Sequence, residues 1–132
     1  MKAIIYTDGG SRGNPGEAGI GVLIQDSEGN ILKEISQYIG KQTNNVAEYK
    51  ALSRGLEAAI DMGLKDVTCF LDSELVVKQI KGEYRVKNEG LIPLYNMIIP
   101  LIKKFEAFEI SHIRRENNKH ADKLANEAMD NR

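Results

Sequence analysis

Four carboxylates stand where the surrounding pattern calls for something else. Asp8 follows the apolar run of residues 2–7 and, by strand alternation, shares a face with Ile4 and Tyr6. Asp72 follows residues 66–71 (DVTCFL) in the same way, on the face of Thr68 and Phe70. Glu48 falls on the stripe of Leu52, Leu56 and Ala59, the side of a helix that should turn inward. Asp122 borders the stripe of Ala121, Leu124 and Ala125. Taken singly, each acid has an ordinary explanation. An aspartate after a strand often forms a turn, an acid in a helix's first turn is favoured by the dipole, and a buried glutamate can pair with an arginine. Dismissing all four takes four coincidences, and no basic residue stands beside them in sequence to neutralise the set. If the acids meet, their repulsion raises pKa values or forces the site apart, and a divalent cation relieves the conflict. Oxygen-only ligands select a hard ion, Mg²⁺ or Mn²⁺. Zinc is also disfavoured because Cys69 lies in mid-strand, away from His112 and His120. Two hard ions about 4 Å apart suit phosphodiester hydrolysis, one activating water and the other stabilising the leaving oxygen.

The elements that must position these acids can be read from periodicity. Residues 2–7, 18–25, 31–39, 66–71 and 107–113 read as strands, the second and third joined as a hairpin by Asp26-Ser-Glu-Gly-Asn30. A helix begins at the Thr43-Asn44-Asn45 cap and ends near Met62, before Gly63. Residues 74–81 form a short helix stopped by Gly82. Residues 91–105 have helical spacing, with Pro93 at the start and a kink or break expected at Pro100. Residues 119–130 form the last helix. The order βββαβααβα predicts an α/β fold with a mixed sheet, in which strands 1 and 4 run parallel and carry Asp8 and Asp72 to one edge. That edge, at the carboxyl ends of the strands, is where open α/β sheets place their chemistry.

The chain has 132 residues, 42% of them hydrophobic, which suits one domain over residues 1–132. Its only cysteine, Cys69, reads as a buried thiol in a reducing, cytoplasmic setting. No segment has the length and apolarity of a membrane span. A net charge of −1 provides no general attraction to nucleic acid, so any such binding must rest on local patches. The run Tyr6-Thr-Asp-Gly-Gly-Ser-Arg-Gly-Asn-Pro-Gly16 invites a nucleotide-pocket reading, but a P-loop needs Gly-Lys-Ser/Thr and a following helix. Here Gly16 leads into a strand. Asp8 is therefore the centre of the motif. Gly9 and Gly10 keep its surroundings open to ions and a scissile phosphate, and Ser11–Gly16 turns the chain back, with Asn14-Pro15-Gly16 as the bend. Backbone amides of that turn, around Asn14, are placed against substrate.

Four motifs, YTDGGSRGNPG, TNNVAEYKAL, FLDSELVVKQI and RRENNKHADKLAN, each carry one acid, and in this order and spacing the chain resembles a type I ribonuclease H over nearly its whole length. The resemblance implies a ribonuclease H-like fold, a five-stranded mixed sheet flanked by helices. It implies cleavage of the RNA strand of an RNA–DNA hybrid, leaving 3′-hydroxyl and 5′-phosphate ends, with two Mg²⁺ ions or Mn²⁺ as a substitute. Asp8, Glu48, Asp72 and Asp122 match the family's metal-binding carboxylates. Asp8 would bridge both ions, Asp72 and Glu48 would complete one site, and Asp122 would hold the ion that activates water. Asn44 and Asn45 match residues that touch the hybrid's minor groove, where the 2′-hydroxyl separates RNA from DNA. Lys41 and Thr43 resemble a grip on a DNA-strand phosphate. Ser73, Gly9, Gly10, Asn14, Arg115 and Asn118 complete the expected substrate contacts. Helix capping is an equally good explanation of Asn44, as is a solvated loop charge for Lys41.

The chain also departs from larger members. Gly82–Leu91 is too short for their basic helical insertion, leaving the smaller cluster Lys78, Lys81, Arg85 and Lys87 with Tyr84. With no hybrid-binding module expected ahead of the first strand, binding should be weak and salt-sensitive. His112 and His120 are both candidates for a histidine that assists product release. No obligate protein partner is implied, and a monomer is the default. Two other readings stay open: a non-catalytic or weakly active hybrid-binding module on the same fold, and a nuclease for double-stranded RNA or DNA junctions.

Overall fold

The computed structural model describes residues 1–132. Strands β1 (Lys2–Gly13), β2 (Gly16–Asp26) and β3 (Ile31–Gln42) form an antiparallel meander. Helix α1 (Asn44–Asp61) follows, then β4 (Asp66–Leu71), α2 (Glu74–Ile80), α3 (Ile92–Ile102), β5 (Ala107–His112), one 3₁₀ turn at Arg115–Asn117, and α4 (Lys119–Asp130). The strands lie in the order β3-β2-β1-β4-β5, with β4 parallel to both β1 and β5. This is the five-stranded mixed sheet expected from the sequence. No helix is long and apolar enough to cross a membrane.

Alternation along β1 divides the molecule into two layers. Ala3, Ile5 and Thr7 point toward α1, where Leu52, Leu56 and Ala59 are buried against them with Val67, Cys69 and Leu71 of β4. The opposite face of the β1–β2 hairpin is covered by α4 through Ala121, Leu124, Ala125 and Ala128. This covering needs glycine. A Cβ on Gly21 would lie 2.1 Å from the carbonyl oxygen of Ala121, and one on Gly19 would lie 2.7 Å from that of Ala125. The two glycines let the helix backbone rest on the sheet itself.

Two expectations are corrected. The first strand does not stop at Thr7. Gly9–Gly13 stays in register with β2, from Gly9 opposite Ile20 to Gly13 opposite Gly16, so the bend is reduced to Asn14-Pro15. Gly13 adopts φ +111°, a conformation that a side chain would strain. The glycines lower strand propensity, but the cross-strand ladder and the helices pressed on both faces hold the segment extended. Second, α3 runs through Pro100 without a break. Pro100 is exposed, so the carbonyl it leaves unpaired can reach water, while Ile98 of the same helix is fully buried.

Candidate active site

The β1–β4 pairing ends at Thr7 opposite Leu71, while β1 continues beside β2 alone. A cleft of about 460 Å³ opens past the end of β4. Asp8 is the first residue of β1 beyond that pairing and Asp72 the first after β4, so parallel register alone brings the two together. Glu48 arrives from α1 on one side of the sheet and Asp122 from α4 on the other.

Gly9 is what allows α1 to come so close. A Cβ there would lie 2.2 Å from the carbonyl oxygen of Ala47. With hydrogen in its place, the Gly9 amide donates to Oε1 of Glu48 at 2.5 Å. Gly9, expected to keep the site open for substrate, lines the cleft and is also packed against α1, where the missing side chain admits the helix. Gly10 is less crowded: a Cβ there would make ordinary contact with Met129 Cε at 3.7 Å and Asn44 Oδ1 at 3.8 Å.

Carboxylate oxygens of Asp8, Glu48 and Asp72 lie within 4.8 Å of one another. Asp8 is 8% exposed and Glu48 4%, so solvent does little to screen them. Burial first, then the charges of Glu48 and Asp72, push the Asp8 carboxyl far above its ordinary range. Burial also raises Glu48, to about 7, although the Gly9 amide pulls it down. Asp122 lines the same cleft, and its side chain beside Asp8 raises the Asp8 carboxyl further. An oxygen-only set that resists full ionisation fits a hard divalent cation, which would take the carboxylates as ligands and cancel their repulsion.

Neighbouring side chains fix the acids' orientation. Asn118 Nδ2 donates to the carbonyl oxygen of Thr7 at 2.9 Å and to Oδ2 of Asp72 at 3.2 Å, tying α4, β1 and the end of β4 together. Asn126 Nδ2 donates to Oδ2 of Asp122 at 3.3 Å, and Arg115 Nη2 lies 3.6 Å from Oδ1. Asn118 is expected, from the family resemblance, among the substrate contacts. It is 1% exposed and acts inside, as a brace for Asp72, because the 3₁₀ turn before α4 folds it under the sheet edge.

The other expected residues fall into two groups. Gly9, Gly10, Ser73, Asn44 and Arg115 line the cleft with the acids. Ser73 also caps α2, its Oγ accepting from the Val76 amide at 3.3 Å. Asn14 caps the first amide of α1, with Oδ1 accepting from Asn44 at 3.0 Å, while Asn44 Oδ1 accepts from the Ser11 amide at 3.3 Å. Lys41, Thr43 and Asn45 are exposed around the α1 N-terminus, outside the cleft, and Thr43 Oγ1 caps the helix at Val46. Neither histidine lines the cleft. His112 Nδ1 stands 3.9 Å from Glu74 Oε2, and His120 Nε2 is 2.6 Å from Glu34 Oε2 on β3. Arg12, Asn126 and Met129 line the cleft without having been expected there. Arg12 was hidden because β1 was ended too early: alternation from Asp8 through Gly10 reaches it directly.

Residues 6–128 match the family model described as reverse transcriptase-like. The bifunctional protein Rv2228c of Mycobacterium tuberculosis is 43% identical over 98% of this chain, which spans 36% of that relative's length. Ribonuclease HI of Halobacterium salinarum is 42% identical over 95% of this chain and 63% of its own. A crystal structure of that archaeon's ribonuclease H1 superposes with a TM-score of 0.97 at 40% identity, covering all of both chains. LC11-RNase H1, solved in complex with an RNA/DNA hybrid, is 49% identical with a TM-score of 0.93, over 98% of this chain and 97% of that one.

Proposed function

The chain belongs to the ribonuclease H family, and from that premise we propose that it hydrolyses the RNA strand of RNA–DNA hybrids with the help of two Mg²⁺ ions. The observation that carries this reading is the convergence of Asp8, Glu48 and Asp72 within 4.8 Å, with Asp122 lining the same cleft. The hybrid bound by LC11-RNase H1 supports the choice of substrate.

Asp8, Glu48, Asp72 and Asp122 would hold the ions, with Mn²⁺ able to replace Mg²⁺. Bound there, the ions supply an activated water and stabilise the departing oxygen. The chain's own part is positioning. The Gly9 amide holds one oxygen of Glu48 and leaves the other toward the cleft. Asn118 keeps Asp72 from rotating away, and Asn126 does the same for Asp122. The trough over Gly10 receives the RNA backbone. Asn44, whose Oδ1 is occupied by Ser11, retains its Nδ2 donors for the minor groove, where a 2′-hydroxyl can accept. Attack of water on phosphorus with departure of the 3′-oxygen leaves 3′-hydroxyl and 5′-phosphate ends. Lys41 and Thr43 would grip a phosphate of the DNA strand, and Asn45 would join Asn44 at the minor groove. We read residues 1–132 as one domain acting as a monomer in the cytoplasm, where Cys69 stays a thiol.

The test is cleavage of an end-labelled RNA–DNA hybrid with Mg²⁺ and Mn²⁺ titrated separately, beside an Asp8→Asn control. Metal-dependent cleavage confined to the RNA strand is expected. Absence of cleavage with either metal would refute the reading, and preferential cutting of double-stranded RNA or a DNA junction would reassign the substrate.

A further inference from the structure

Building on the hybrid-cleaving reading above, we propose that Arg12 binds a phosphate of the RNA strand beyond the scissile one, and that Asp130 occupies its guanidinium until substrate displaces it. The cleft lining carries four carboxylates and only two cations, Arg12 and Arg115. A polyanion entering it needs counter-charge. Arg115 is already beside Asp122, one of the four acids. Arg12 instead pairs with Asp130, its Nη1 2.6 Å from Oδ1. Asp130 ends α4 and is not among the cleft residues.

The line of β1 gives Arg12 its place. Asp8, Gly10 and Arg12 alternate onto one face of the strand, and four residues of strand span about 13 Å. Between the acid and the arginine lies Gly10, which has no side chain of its own and lines the cleft between Asn44 and Met129. A strand seated at Asp8 and running along the cleft meets the guanidinium next. Arg12 and Asp130 have side-chain exposures of 45% and 58%. So exposed a pair holds weakly, and a phosphate, which accepts both arms of a guanidinium, can replace the carboxylate.

The test is steady-state cleavage of a short hybrid across a salt series. Arg12→Gln should raise KM about tenfold at low salt, the size of a lost charge-assisted hydrogen bond, with kcat within about twofold. Its plot of log KM against log salt should be shallower by about one, and Arg12→Lys should restore part of the slope. Asp130→Asn should lower KM in the wild type and have no effect in Arg12→Gln. Replacing single phosphates with neutral methylphosphonates should find one RNA-strand position that raises KM in the wild type but not in Arg12→Gln. An unchanged KM and slope in Arg12→Gln would overturn the assignment. So would a silent position found only in the DNA strand, or an Asp130→Asn effect that persists without Arg12. Failure of the wild type to cut any hybrid would instead remove the underlying reading.

Discussion

The acid end of the sheet and the segment linking α2 to α3 are built in opposite ways. Every acid at the sheet edge is tied to the fold: Asp8 and Asp72 by parallel register, Glu48 by the Gly9 amide, Asp72 again by Asn118, and Asp122 by Asn126. From Lys81 to Gly90 every residue but Val86 is exposed, and the cationic cluster beside it is held only by surface contacts: Lys78 Nζ, in the last turn of α2, lies 4.9 Å over the Tyr84 ring, 3.3 Å from its hydroxyl and 3.6 Å from Glu74 Oε1. A catalytic group must keep its geometry to a fraction of an ångström, whereas a phosphate grip works through charge and tolerates motion. The fold places its chemistry where two helices and three strands restrain it, and leaves affinity to the surface.

The sharpest way to break this contrast is to remove an acid. Asp8→Asn and Asp72→Asn should each lower kcat by at least about a thousandfold, since the site loses several kcal/mol of transition-state stabilisation. The fold should survive, and melting in metal-free buffer should rise or stay level, because the cluster no longer has to hold a carboxyl whose ionisation burial and its neighbours oppose. A melting temperature lowered in every acid variant would show that the acids support the fold rather than strain it.

Gly9→Ala should act through the backbone. Its methyl would meet the Ala47 carbonyl at 2.2 Å, so α1 must shift. We expect destabilisation of about 2–4 kcal/mol by denaturant unfolding and a fall in kcat of more than about tenfold, as Glu48 moves off its amide. Gly10→Ala, whose methyl meets nothing closer than 3.7 Å, is the control and should unfold like the wild type. Equal losses in both variants would mean that strand propensity, not helix approach, is what these glycines serve.

These two glycines also mark how far the sequence could be read. The four acids stood out because each interrupts a periodic pattern, and a break in period needs no partner to be noticed. Gly9 is explained by α1 and Gly19 and Gly21 by α4, which cross them at backbone distance, and nothing local announces either crossing. The same gap ended β1 at Thr7 and hid Arg12. Asn118 was misplaced for a related reason: its run of polar neighbours reads as surface, and only the tertiary fold turns its amide toward Thr7 and Asp72. A kink or break was expected at Pro100 from its missing N–H alone; α3 continues through it to Ile102, with Ile98 buried.

The third expected effect is a pH dependence confined to the acid end. Asp8 and Glu48 have folded pKa values above their ordinary ones, so between about pH 4 and the raised values the native state binds more protons than the unfolded state. Their contribution to stability is full below the unfolded values and is lost as pH rises through the folded ones. In chelator, the melting temperature should therefore fall between pH 5 and 9, on the order of 5 °C. Mg²⁺ should flatten the fall, since a ligated carboxylate no longer benefits from protonation, and Asp8→Asn should flatten it without metal. A slope unchanged by both would locate the titration elsewhere in the molecule.

The smallest effect should come from the exposed segment. Tyr84→Ala removes the ring beneath Lys78 and the hydroxyl that accepts from its Nζ at 3.3 Å. Both tyrosine and lysine contacts are at the surface, where a cation over a ring is worth about 0.5–1 kcal/mol. If this cluster touches hybrid phosphates, KM should rise about two- to threefold at low salt, with kcat and melting temperature unchanged. The effect should vanish at high salt, because screened surface charges contribute little. The contrast with the acid end is then quantitative: one side chain there controls about three orders of magnitude in rate, and one here a small factor in affinity. A drop in kcat for Tyr84→Ala would show that the segment reaches the reacting atoms, and the division between a restrained chemical end and a loosely held binding surface would fail.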